Sequence, residues 1–164
     1  MNKRVAFLFI LVLMSACIFE VKPVFASSNP WVAKASMQVA RASLGVAVVN
    51  GQIYAIGGVV DPPSWVQCTS TNEKYDPATD RWVFKASMPT SRASFGIAVY
   101  NNKIYCIGGT TDVKNGQYVV SGVNEIYDPA TDKWETKASM PTARVGVTAN
   151  VVDGKIYLLG GNSV

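Results

Sequence analysis

Histidine is absent from all 164 residues. That absence removes the commonest general base, metal ligand and triad partner. Cysteine is scarce, at three residues, and no two of them form a CxxC pair. Charge is sparse as well: charged residues make up 16% of the chain against 49% hydrophobic. Such a mixture buries a core, which excludes wholesale disorder. The net charge is only +4, and setting aside Lys3, Arg4, Lys22 and Glu20 leaves 12 basic and 10 acidic residues. With no run of Lys or Arg, a phosphate-tracking surface is excluded and no nucleic-acid partner is expected. The Ile-Gly-Gly sequences lack the spacing and the lysine of a phosphate loop. No catalytic, cofactor-binding or metal-binding constellation is therefore expected. Asp61 and Asp112 are the best candidates for an acid pair, and solvated loop aspartate is their commoner role.

What is present begins with an export signal. Asn2-Lys3-Arg4 gives a positive start, Val5 to Phe19 runs without a charge, and Val24-Phe25-Ala26 offers a small residue for cleavage after Ala26. A 15-residue run is short for a membrane span, which needs about 20. Leu13-Met14-Ser15-Ala16-Cys17 also loosely matches a bacterial lipobox, so lipidation at Cys17 is a rival. The expectation is a signal peptide over 1–26, a mature chain from 27 to 164 without a membrane span, and a secreted or cell-surface location. In an oxidising compartment Cys68 and Cys106 can pair. However, Cys106 replaces Ala55 and Leu158 at one recurring position, so it reads as an apolar filler and free thiols are expected.

Self-comparison organises the rest. Trp31, Trp82 and Trp134 recur at intervals of 51 and 52 residues, and Arg41, Arg92 and Arg144 keep the same intervals. So do Ile53-Tyr54, Ile104-Tyr105 and Ile156-Tyr157, and the pairs Gly57-Gly58, Gly108-Gly109 and Gly160-Gly161. A period near 50 marks a propeller blade or a similar unit. The repeats run over about 41–91, 92–143 and, in part, 144–164.

Within each period four strands are predicted, A to D from the inside outward. Strand A covers about 42–49, 93–100 and 145–152 and is rich in small residues, as a crowded axis demands. Asn50-Gly51, Asn101-Asn102 and Asp153-Gly154 tolerate the positive φ of a two-residue hairpin leading to strand B, about 52–56, 103–107 and 155–159. After a segment of changing sequence comes strand C, about 71–75 and 123–127. The turn Asp76-Pro77-Ala78-Thr79-Asp80, repeated as Asp128-Pro129-Ala130-Thr131-Asp132, leads into strand D, about 81–85 and 133–137.

On these residues the chain resembles the kelch-repeat family, in which a glycine pair follows a hydrophobic strand and a spaced tyrosine and tryptophan come after it. Tyr54, Gly57, Gly58, Tyr75 and Trp82 fit one repeat; Tyr105, Gly108, Gly109, Tyr127 and Trp134 fit the next; Tyr157, Gly160 and Gly161 begin a third. The resemblance implies an all-β, kelch-type β-propeller, incomplete here. It would hold about two full four-stranded blades, a leading outer strand at Trp31-Val32-Ala33-Lys34 and half of a third blade. Remaining blades in cis, or association through the open edge, would complete it. Kelch-like galactose oxidases bind copper through histidine and tyrosine, so that chemistry has no home in a chain without histidine.

The A–B and C–D turns are short and nearly constant, whereas the B–C segments 59–67 and 110–118 differ strongly. Variable loops on a repeated scaffold are where binding surfaces are built. Trp65 and Tyr118 are the aromatic contact candidates, with packing between blades as the alternative. Arg41, Arg92 and Arg144 stand at the start of each strand A, where guanidinium groups can grip a carboxylate or sugar hydroxyls. Their recurrence in every blade favours the alternative, that each ties down its D–A loop. The expected function is a non-enzymatic recognition module for a protein or glycan, using the B–C and D–A loops. The alternatives are a fragment of a galactose-oxidase-like or sugar-isomerising enzyme whose catalytic residues lie outside this chain, and a structural repeat of an envelope protein.

Overall fold

A computed structural model describes residues 31–60, 67–114 and 116–163. The export signal, Cys17, Asp61 and Trp65 lie outside the described residues. The strands are β1 (Gly45–Val49), β2 (Gln52–Ile56), β3 (Val59–Val60), β4 (Gln67–Cys68), β5 (Asn72–Asp76), β6 (Arg81–Lys85) and β7 (Gly96–Tyr100). They continue as β8 (Lys103–Ile107), β9 (Thr110–Lys114), β10 (Gln117–Val120), β11 (Asn124–Asp128), β12 (Lys133–Lys137), β13 (Val145–Val152) and β14 (Lys155–Asn162).

Strands A to D pair as the repeat predicts. One four-stranded antiparallel sheet has the order β1-β2-β5-β6, a second runs β7-β8-β11-β12, and β13-β14 forms a two-stranded sheet. The β1–β2 turn has φ of 50° at Asn50 and 73° at Gly51, the signs that a hairpin with the sheet's twist requires. In the C–D turn Asp76 Oδ1 accepts from the Ala78 N–H at 3.0 Å, and Asp128 Oδ1 from Ala130 at 2.9 Å. Those bonds explain the aspartate that leads each turn.

Two readings need correction. In the first two repeats strand A begins three residues late, because Ser43 and Ser94 take φ of 52° and 53°; the third, β13, has its expected bounds, with Gly146 at 72° inside it. The left-handed serine precedes the strand and turns its carbonyl toward the next blade: the Ser94 N–H donates to Ser43 O at 3.0 Å and the Gly146 N–H to Ser94 O at 2.8 Å. Second, residues 31–37 form no strand. An outer strand needs a strand C beside it, and among the described residues the third sheet contains only β13 and β14. The segment is held by side chains instead. Asp80 Oδ1 accepts from the Ala35 N–H at 3.0 Å, and Trp82 Nε1–H donates to Ala35 O at 2.8 Å.

The same clasp recurs one blade on. Asp132 Oδ1 accepts from the Ala86 N–H at 2.9 Å, and Trp134 Nε1–H donates to Ala86 O at 2.8 Å. A tyrosine hydroxyl bonds each aspartate, Tyr75 to Asp80 at 2.5 Å and Tyr127 to Asp132 at 2.7 Å. Tyrosine, aspartate and tryptophan of one blade thus grip the chain leaving the previous one. Between the first two blades lies the core: Val49, Tyr54, Ile56, Met88, Ile104, Cys106 and Tyr127, with Ala86 and Trp134 packed against it. Tyr54 and Tyr127 meet across the interface with ring centroids 5.7 Å apart, a tilted pair.

The clasp predicts an acid-sensitive fold. The hydrogen bond from Tyr75, then that from Ala35, holds the Asp80 carboxyl below its ordinary pKa. At Asp132 burial pulls the other way and is outweighed by bonds from Tyr127, Ala86 and Lys85, so its pKa is also lowered. A lowered folded-state pKa gives stability present above the unfolded carboxylate value of about 3.9, lost as pH falls through the folded value. Thermal melts between pH 6 and pH 2 should therefore fall steeply below about pH 4. Asp132→Asn should melt lower at pH 6 and show a shallower acid limb; an unchanged limb would refute the clasp's role.

Candidate functional site

The arginines proposed as ligand contacts occupy different surroundings from those expected of a binding face. Arg41 and Glu73 pair at 2.9 Å with side chains 0% exposed. Arg41 also donates to Gly57 O and Thr71 O, each at 2.8 Å, and to Ala55 O at 3.2 Å. Burial pulls the Arg41 pKa down and Glu73 pulls it back up. Arg92 repeats this inside the second blade, pairing with Glu125 at 2.7 Å and donating to the carbonyls of Gly108, Val123 and Cys106. A guanidinium this buried directs its terminal N–H groups at a carboxylate and three carbonyls of its own blade rather than at solvent. Arg41 and Arg92 therefore lock strands A, B and C of their own blades together, which corrects the ligand-contact reading. Arg144 differs: it is half-buried and keeps the bond to the glycine carbonyl, Gly160 O at 2.8 Å, and among the described residues no strand C stands beside β14. Glu73 and Glu125 were missed by the sequence reading, although each stands two residues before the recurring tyrosine.

The glycine pairs serve the same interior. Gly58 N–H donates to Arg92 O and Gly109 N–H to Arg144 O, both at 2.8 Å, so each pair carries one blade's backbone onto the next. Gly57, Gly58, Gly108 and Gly109 have φ of 61°, 99°, 75° and 96°, and Gly160 and Gly161 have 67° and 81°. The recurring residues are thus engaged internally.

The variable B–C segments are ribbons rather than loops. β9 pairs with β10, placing Tyr118 opposite Val113, with a register shift between Val119 and Val120. Tyr118 is 54% exposed and Val119 37%. The ribbon was legible after all, since Asn115-Gly116 is a strong hairpin signal that the loop reading passed over. In the first repeat the shorter pair β3–β4 stands at the corresponding place. Cys68, on β4, donates from its thiol to Thr110 O at 3.4 Å, so neighbouring ribbons abut. Cys68 and Cys106 are both free thiols, and burial pushes Cys106 up to about 12.

Asp112 Oδ1 accepts from the Val113 N–H at 2.8 Å, and its other oxygen lies 3.8 Å from Lys114 Nζ at the surface. Among the described residues no group of three or more Cys, Asp or Glu can hold a metal ion, and no helix is long and apolar enough to cross a membrane.

Four-stranded antiparallel sheets ordered from an inner to an outer strand, stacked with aromatic residues between them, are β-propeller blades. The Kelch motif family model matches residues 40–89 and 91–141, and the chain belongs to the kelch-repeat family. It is 34% identical over 139 residues to Kelch-like protein terF of Aspergillus terreus, covering 82% of this chain and 30% of that protein. It is 34% identical over 138 residues to beta-scruin of Limulus polyphemus, covering 82% and 14%. Against the influenza virus NS1A-binding protein homolog of Mus musculus it is 40% identical over 92 residues, covering 56% and 13%. The chain spans 30% or less of each of these relatives. The solved structure of YjhT superposes with a TM-score of 0.71 at 22% identity, covering 80% of this chain and 48% of that one, which shows the shared fold.

Proposed function

We propose that this chain is a non-enzymatic recognition scaffold that binds a protein partner with the β9–β10 ribbon as its main contact. The observation that carries this reading is the exposure of Tyr118 and Val119 on an edge strand, while the recurring arginines, glycines and aspartates are engaged within and between blades. A rigid aromatic beside a free strand edge suits a polypeptide, which supplies both apolar side chains and backbone hydrogen bonds. The relative from Mus musculus bears a protein partner in its name, in line with a protein rather than a glycan. The positive start at Lys3-Arg4 and the uncharged run from Val5 to Phe19 support delivery to the cell surface or medium, with cleavage after Ala26.

The test compares the wild type with Tyr118→Ala as baits for surface and secreted proteins, alongside a glycan array. A protein retained by the wild type should bind Tyr118→Ala about 30-fold more weakly, the effect of losing a hot-spot anchor, with the melting temperature unchanged. Equal retention by both baits would remove the ribbon from the interface. Glycan binding alone would overturn the choice of a protein.

A further inference from the structure

The outer strands of the two four-stranded blades differ in one respect. β6 reads Arg81-Trp82-Val83-Phe84-Lys85, and β12 reads Lys133-Trp134-Glu135-Thr136-Lys137. Each is the last strand of its sheet, so its outer backbone edge meets no other strand among the described residues. Such edges are commonly guarded by charge against pairing with another chain. β12 keeps that guard in Glu135, which pairs with Lys137. β6 instead carries valine and phenylalanine at these two positions, 44% and 55% exposed.

Both positions stay exposed with a blade alongside. Val83 lies opposite Lys74, Lys74 opposite Tyr54 and Tyr54 opposite Ala47, so Val83 shares the face that packs on the second blade. Phe84 lies on the other face. Its counterpart Thr136 lies opposite Glu125, and Glu125 opposite Cys106, on the face turned toward the first blade. Thr136 is exposed there too. Beside Val83 runs a groove of about 590 Å³ lined by Lys74, Asp76, Thr79, Arg81 and Val83. Its one acid is already engaged: Asp76 accepts from Gln52, Ala78 and Thr79. The side chains of Lys74 and Arg81 make no hydrogen bond or ion pair among the described residues. β6 also takes a hydrogen bond from outside its sheet, since the exposed Gln38 amide donates to Trp82 O at 3.0 Å.

We propose that the outer edge of β6 is a docking site for an extended acidic segment of another protein, of the pattern acid-Φ-Φ-x-acid, where Φ is apolar. The segment adds antiparallel to β6 as a further strand, so that main-chain bonds supply affinity and alternate side chains supply selectivity. Its first acid stands opposite Lys85 and its last opposite Arg81, with the apolar pair opposite Phe84 and Val83. The acid opposite Arg81 lies on the side of the groove, where Lys74 adds a second cation. This charge pattern selects the occupant. A second copy of this chain fits poorly, because β6 paired antiparallel with itself about Val83 sets Arg81 against Lys85, like charges directly opposite.

The probe is the end-blocked peptide Ser-Glu-Ile-Val-Thr-Glu-Ser, titrated into the isotope-labelled full chain and followed by amide shifts in NMR. Saturable shifts are expected along β6 and none along β12. The peptide Ser-Lys-Ile-Val-Thr-Lys-Ser should bind tenfold or more weakly. Arg81→Glu should weaken the acidic peptide and strengthen one whose last acid is replaced by lysine, a coupling that a general loss of structure would not produce. Val83→Glu with Phe84→Thr, which installs the residues of β12 at two exposed positions, should abolish the shifts and leave the melting temperature unchanged. Three results would each overturn the proposal: no saturable shifts on β6, equal binding of the lysine peptide, or a dimer in sedimentation that Val83→Glu with Phe84→Thr dissociates, which would put a second copy on this edge. None of these readouts involves Tyr118, so the outcome is independent of the ribbon's role.

Discussion

Glu125→Ala should lower the stability of the protein by about 3–5 kcal/mol, read as a drop in the urea midpoint. The pair sits at 2.7 Å with side chains 0% and 2% exposed, so removing the carboxylate strands a guanidinium inside the second blade. Arg92 does not swing out to water, because its Nη1 and Nη2 groups are also fixed on the carbonyls of Gly108, Val123 and Cys106 and its charge lies over Phe95 at 5.5 Å. Water cannot replace what is lost, and an uncompensated buried cation is among the few defects that a single substitution makes this severe. Arg144→Gln supplies the contrast. That side chain is half-buried with one carbonyl partner, so its loss should cost about 1 kcal/mol or less. Similar losses for the two variants would mean that the buried pair does not lock the blade.

The second large effect is expected at Gly109. A Cβ there would lie 2.5 Å from Ala93 O and 2.8 Å from Phe95 Cβ, at a φ of +96°. Two penalties coincide: a backbone conformation that L side chains rarely adopt, and a collision with main chain that cannot rotate away. Gly109→Ala should cost about 3 kcal/mol or more. Gly51→Ala separates the two penalties, since Gly51 has a φ of +73° with nothing within 4 Å of its Cβ position. Strain alone there amounts to about 1–2 kcal/mol. Urea titration of both variants measures the difference; equal losses would mean that the approach of Gly109 to Ala93 within the second blade is looser than 2.5 Å implies.

The strand order was legible because period, turn chemistry and strand content agree. Asn50-Gly51 and the Asp-Pro-Ala-Thr-Asp turns fix the hairpins, and the glycine pairs mark where blades touch. The arginines were harder. A guanidinium at a recurring position announces importance, but whether it faces solvent or a carboxylate depends on pairing across strands 30 residues apart, as between Arg41 and Glu73. Local pattern says nothing of that. The glutamates could have been found by asking which acidic residues keep the arginines' period. Trp31 misled for a related reason: a tryptophan in the recurring place was read as part of a strand, but residues 31–37 form none. The B–C ribbons were hidden by treating variability as absence of structure, despite Asn115-Gly116.

The bonds from Ser94 to Ser43 and from Gly146 to Ser94 run along the innermost edge of the stack, each blade handing the next a single peptide group. Energetically such a stack behaves as a one-dimensional array, in which every unit is worth its own folding plus a term for each neighbour. Among the described residues the second blade has a neighbour on each side and so collects that term twice. Damage at one junction is therefore felt mainly by the two sheets that share it.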